Sequence, residues 1–189
     1  MYIAQAKRHE NIAEYILYIW QLEDLLRALR FSPQAIWSQL VQPQEPADPA
    51  RQNELLMWYM DLGSLLRSEG KEGVGHLDHT LHLIADLEDL HSELLRAPAG
   101  RRYRELYARL QPELPHLRQI SGHTEMSDTE IEFRTLYAAM LYRMQGDKTK
   151  ESSISDAIEL ISPVIGELAR IFHAVESGEL DIWERRDDC

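Results

Sequence analysis

The chain has 189 residues, 44% of them hydrophobic, with 32 acidic against 20 basic side chains and a formal net charge of -12. That length supports one substantial core, the apolar share excludes a disordered chain, and the acidic excess repels nucleic acid and anionic membrane surfaces. The single cysteine, Cys189, excludes an internal disulfide, and the opening MYIAQAKRHENIAEY lacks the pattern of a signal peptide, so a cytoplasmic location without membrane contact is expected.

Apolar residues recur at helical spacing and no sustained alternation of strand type occurs. The expected fold is a single all-α domain over 1–189, an antiparallel bundle of about six or seven helices with four long ones. The first helix covers about residues 4 to 30, ended by Ser32-Pro33, and a short helix PQAIWSQLV follows. Asp48-Pro49 then caps a second long helix over 49 to 68, which stops at the glycine-rich SEGKEGVG. A third covers 74 to 95. The turn at 96 to 101 is the best place for a sub-boundary.

RRYRELYARLQPELPHLRQISG is broken by Pro112 and Pro115 into two shorter helices. Ser127 to Glu130 has capping-box spacing and opens a helix to about Met144. A polar turn at 146 to 151 leads to a last helix ending near Glu176, with Pro163 inside it, and an acidic, frayed tail over 177–189 in which Ile182 and Trp183 are available for docking.

The third helix holds the nearest thing to chemistry. GVGHLDHTLHLIADLEDLHSELL packs four histidines among its carboxylates. On a helical wheel Leu77, Leu81, Ile84, Leu87, Leu90, Leu94 and Leu95 form the buried stripe, while His79, His82, Asp86, Asp89 and Glu93 fall opposite. Three ligands on a solvated face chelate weakly, so His79, His82 and Asp86 read as surface.

Glu88 and His91 lie on the leucine stripe, where burial demands partners. Their Glu-x-x-His spacing is the one that carboxylate-bridged di-metal bundles use, and Glu23 adds an inward carboxylate from the first helix. Glu88, His91 and Glu23 are therefore the candidate metal ligands, for iron, manganese or zinc. The rest of such a site is missing. The stripe after Ser127 is Phe133, Leu136, Tyr137, Met140, Leu141 and Met144, with Glu132 turned away. On the last helix it is Ile154, Ile158, Ile161, Ile165, Leu168 and Phe172, with Glu159 and His173 outside. A buried polar network is the better expectation, Glu23 pairing with an arginine such as Arg27 or Arg30, and Glu88 and His91 with tyrosine hydroxyls.

Arg101, Arg102, Tyr103, Arg104 and Tyr107 form the one basic, aromatic island and are the candidate contacts for an anion or nucleotide. No Gly-rich phosphate loop, nucleophile elbow or Cys-x-x-Cys pair accompanies them. The first helix is apolar over much of its circumference, including Leu17 and Trp20, which suggests a homodimer interface.

The segments MYIAQAKRHENIAEYILYIWQLEDLLRA and EFRTLYAAMLYRMQG resemble a bacterial helical family described as a domain of unknown function. The resemblance implies a cytoplasmic all-helical protein of unassigned activity, and no site residue carries over from it. The leading expectation is a non-enzymatic protein, needing no cofactor, that binds another protein or a small ligand, as a homodimer. A metal-dependent bundle enzyme and an anion-binding protein are the alternatives.

Overall fold

The computed structural model describes residues 1–44, 48–122, 124–145 and 151–182, leaving aside the side chains of residue 145 and residues 151–155. Among the described residues every regular element is a helix, so the fold is all-α. Residues 146–150 of the expected polar turn, the side chain of Ile154, Trp183 and Cys189 fall outside that description. The chain forms two compact units, Met1–His9 with Glu14–His82, and Glu10–Ala13 with Leu83–Cys189. The division falls within a helix, and the turn at 96 to 101 lies inside the second unit.

The helix expected over 4 to 30 is two helices, α1 (Tyr2–Glu10) and α2 (Ile12–Ala28). The break is at Asn11, whose side-chain oxygen accepts the Ala13 N–H at 3.0 Å, the usual work of an N-cap. α2 ends because Arg30 and Phe31 take left-handed backbone, with φ of 53° and 55°, a conformation costing about 1–2 kcal/mol per non-glycine residue. Packing offsets that cost. The Phe31 ring lies against Gly63, where an added Cβ would come within 3.1 Å of it, and the Arg67 guanidinium sits 4.8 Å from the ring centre.

α3 (Pro33–Ile36), capped by Ser32, runs into a π turn at Trp37–Val41. α4 (Pro49–Ser68) starts at Asp48, whose carboxylate accepts the Ala50 N–H at 3.0 Å. Ile19, Leu22 and Leu26 share a core with Ile36, Val41, Tyr59, Leu62, Leu66 and Leu77. Leu17 and Trp20 are also buried, at 9% and 0% exposure. Leu25, on the same helix, is 43% exposed, so the apolar circumference of α2 is covered only in part.

α5 (Asp78–Leu94) begins at Asp78 and not near Val74, because Gly75 takes φ 92° and keeps residues 71–77 out of the helix. Leu95, placed on its stripe, falls beyond its end and is 39% exposed. In the second unit a sharp corner follows, where Gly100 lies so close to Leu94 that a Cβ would be 2.7 Å from the Leu94 carbonyl carbon. α6 (Arg101–Leu110) buries Tyr103, Tyr107 and Leu110, and Pro112 sits in the 3-10 turn before α7 (Leu114–Ser121).

α8 (Asp128–Gln145) is capped as its sequence suggests, the Glu130 N–H donating to Ser127 Oγ at 3.1 Å, although the Glu130 carboxylate pairs with Arg134 instead of returning to the cap. α9 (Glu151–Glu176) runs on through Pro163. α8 and α6 both pack on α9, and α7 packs on α8. The buried face of α8 is rotated from the expected one. Glu132 is fully buried and Met144 is 75% exposed, because Thr129, Glu132 and Ala139 occupy the inward side together with Phe133 and Tyr137.

Candidate functional site

In the first unit, Glu23 projects from α2 with no exposed surface. Its Oε2 accepts from His76 Nδ1 at 2.8 Å, its Oε1 accepts the Leu77 N–H at 3.1 Å, and Arg27 approaches to 4.0 Å. The His76 ring stacks on Trp20 at 3.8 Å, and Trp20 Nε1 donates to Thr80 Oγ1, which donates to the Leu77 carbonyl. Arg27 donates to the carbonyls of Lys71 and Gly75. Glu23 and Arg27 thus fix the glycine-rich loop through its backbone, as an inward arginine pairing suggested. His76 lies in that loop, where no wheel applies, and its position next to Gly75 was the only clue to it.

In the second unit, Glu88 Oε2 accepts the Thr129 N–H at 3.0 Å, so a carboxylate meets the positive end of α8. Burial holds the His91 imidazole below its ordinary pKa, against the pull of Glu88 and Asp128, and pushes the Tyr103 hydroxyl far above its own. His91 Nδ1 and the Tyr103 hydroxyl share a hydrogen bond at 2.6 Å. His91 also meets the Tyr107 ring edge-on at 4.8 Å. Tyr107 and Arg118 both donate to Asp128. Burial works against the Asp128 carboxylate, but these two donors hold its pKa below the ordinary value.

Glu132 completes this cluster differently. Neither of its oxygens has a hydrogen-bond partner, nor has the Thr129 hydroxyl. Burial, reinforced by Asp128 and Glu88 and opposed by Arg118, raises the Glu132 pKa well above the carboxylate range. The site therefore favours the protonated form of Glu132. His91, Tyr103 and Glu132 all have 4% exposure or less, so nothing in solution reaches them. The arrangement can hold a proton and fix helices.

The other candidate residues have separate employments. Among the described residues no three His, Cys, Asp or Glu side chains group as metal ligands. Glu88 and His91 share the cluster above, while Glu23 is satisfied within the first unit. His82 and Asp86 are exposed, but His79 is half-buried, with Nε2 3.2 Å from the Tyr15 hydroxyl and a pKa lowered by burial. Arg104 donates to the Leu94 and Ala97 carbonyls and so finishes α5. Arg102 reaches buried Glu167, which also pairs with Arg170, and Arg101 stands 4.0 Å from Glu105. Tyr103 and Tyr107 point into the unit, where no base can stack on them.

A cavity of about 600 Å³ lies in the second unit, lined by α7, α8, α9 and the end of α6. Its cause is legible in side-chain size. Thr135, Ala138, Ala139 and Tyr142 fall on one side of α8, Ala157 and Leu160 on one side of α9, and Leu110, Leu117 and Ile120 face them. Three alanines and a threonine leave room that larger side chains would fill. Glu113, His116 and Asp156 are the charged or titratable members of the lining. Ile120 is 66% exposed, an apolar side chain kept in water beside the cavity. The expected stripes, centred on Phe133 and Ile161, passed over this face because alanine and threonine carry little hydrophobic signal.

The chain belongs to the family described as Domain of unknown function (DUF4924), which matches residues 1–179. No curated protein and no solved structure matches it. Among the described residues no helix is long and apolar enough to cross a membrane.

Proposed function

We propose that this protein is a non-enzymatic binding protein whose second unit holds a small apolar molecule against α7, α8 and α9. The observation that carries the reading is the cavity itself. Its volume of about 600 Å³ falls in the range of small-molecule sites, and its walls are mainly aliphatic with a few polar groups. The polarised groups point the same way, because His91, Tyr103 and Glu132 are sealed from solvent and none of them lines the cavity. Their work is mechanical. Glu88, Asp128 and Ser127 fix the start of α8, and the same helix presents Thr135, Ala138 and Ala139 to the cavity.

The test uses N-phenyl-1-naphthylamine, a neutral apolar dye that brightens when it leaves water. Saturable enhancement is expected with the full chain, and it is expected to disappear in Ala138→Phe. Ala138 is exposed at the cavity wall, so the larger ring fills the space without disturbing the core. A flat titration of the unaltered protein would sink the reading.

A further inference from the structure

We infer that the cavity selects a cationic amphiphile, an apolar body bearing a protonated amine, an inference that rests on the binding reading above. The aliphatic walls set the apolar half of the ligand. The charged half follows from the sign of the lining: Glu113 and Asp156 contribute two carboxylates from different elements against one imidazole, His116, and no lysine or arginine lines the cavity among the described residues. Neighbouring Arg118 is committed elsewhere, to Asp128 and the Met126 carbonyl. An anionic ligand such as a fatty acid would bring a third negative charge to this space. An ammonium group finds two opposite charges there.

Charge of this kind acts through selectivity, so the discriminating measurement compares ligands that differ only in the head group. Dodecylamine, dodecanol and dodecanoate, each below its micelle concentration and at about 0.15 M salt to screen long-range attraction, are set to displace the naphthylamine dye from the full chain. Dodecylamine is expected to displace it at a concentration about tenfold lower than dodecanoate, the ratio that 1.4 kcal/mol gives. The double variant Glu113→Gln, Asp156→Asn is expected to reduce that ratio to near one while leaving dodecanol unchanged. Both residues are exposed, so their neutralisation leaves folding intact.

A control pair on α5, Asp86→Asn with Asp89→Asn, removes the same charge from an exposed face and is expected to leave the ratio alone. Loss of preference in the control would assign the effect to the overall charge and overturn the inference. Dodecanoate or dodecanol binding as tightly as dodecylamine would overturn it too, with the apolar site intact. Failure of the dye and all three amphiphiles to bind would overturn the site as well.

Discussion

Glu23 and Glu132 are both carboxyl groups with no exposed surface, one in each unit, and the chain treats them in opposite ways. Glu23 meets an imidazole, a backbone N–H and, at 4.0 Å, a guanidinium. Glu132 meets none of these, and its pKa is raised, so the site favours its protonated form instead. Burial is the same in both; hydrogen bonding differs. A buried carboxyl is therefore a sign of charge only when its donors are present, and the two residues should respond differently to the same substitution.

The largest difference is expected from leucine at each site. Glu23→Leu leaves the buried Leu77 N–H without its acceptor and takes the carboxylate away from His76 Nδ1, and should cost about 3–5 kcal/mol, the scale for removing one member of a buried polar pair. Glu132→Leu loses no hydrogen bond and should cost less than about 1 kcal/mol or stabilise the chain. Urea unfolding of both variants measures this, and equal losses would break the contrast.

Next in size is the response to pH. The folded pKa of Glu132 lies above the unfolded value of 4.5, so the folded state holds the extra proton and stability falls as pH rises from that value toward the folded pKa. His91 runs the other way: its folded pKa lies below 6.5, and the stability it contributes is present above 6.5 and lost as pH falls. Relative to the unaltered chain, Glu132→Gln should gain stability as pH rises above about 4.5, until the folded carboxyl has ionised. A difference independent of pH would remove the assignment of a raised pKa.

The smallest effects refine the second cluster. Tyr103→Phe leaves His91 Nδ1 without its hydrogen-bond partner and should cost about 1–2 kcal/mol, while Ser127→Ala removes a cap and should cost about 1 kcal/mol. Thermal unfolding of the two variants decides the order, and a costlier Ser127→Ala would put more weight on the cap of α8 than on the His91–Tyr103 bond.

Most helices were legible because their boundaries carry chemistry: Asp48-Pro49, Ser127, Pro112 and the glycines of 70–75 all act where a sequence reading puts them. Asn11 was overlooked because an asparagine inside a long apolar pattern resembles an ordinary polar position until its side chain is seen on Ala13. The need of Glu23, Glu88 and His91 for partners was legible from burial alone. Their partners were only partly so: His91 finds a tyrosine, but Glu88 takes the Thr129 N–H and Glu23 takes loop groups, and loop geometry has no period to read. Glu132 was misplaced because the wheel followed the large apolar residues, whereas small side chains let α8 rotate toward Thr129 and Ala139.

The glycine-rich loop before α5 is tied down at its backbone: Arg27 takes two of its carbonyls, and Glu69 accepts the Asp78 N–H at 2.8 Å. Its tip carries none of that load, since Val74 is 82% exposed and an added Cβ on Gly73 would touch nothing. The tip is consequently a handle. A fluorophore on Val74→Cys, with Cys189→Ser to leave a single thiol, or a short inserted peptide, can be attached there and would report on the first unit without entering its core.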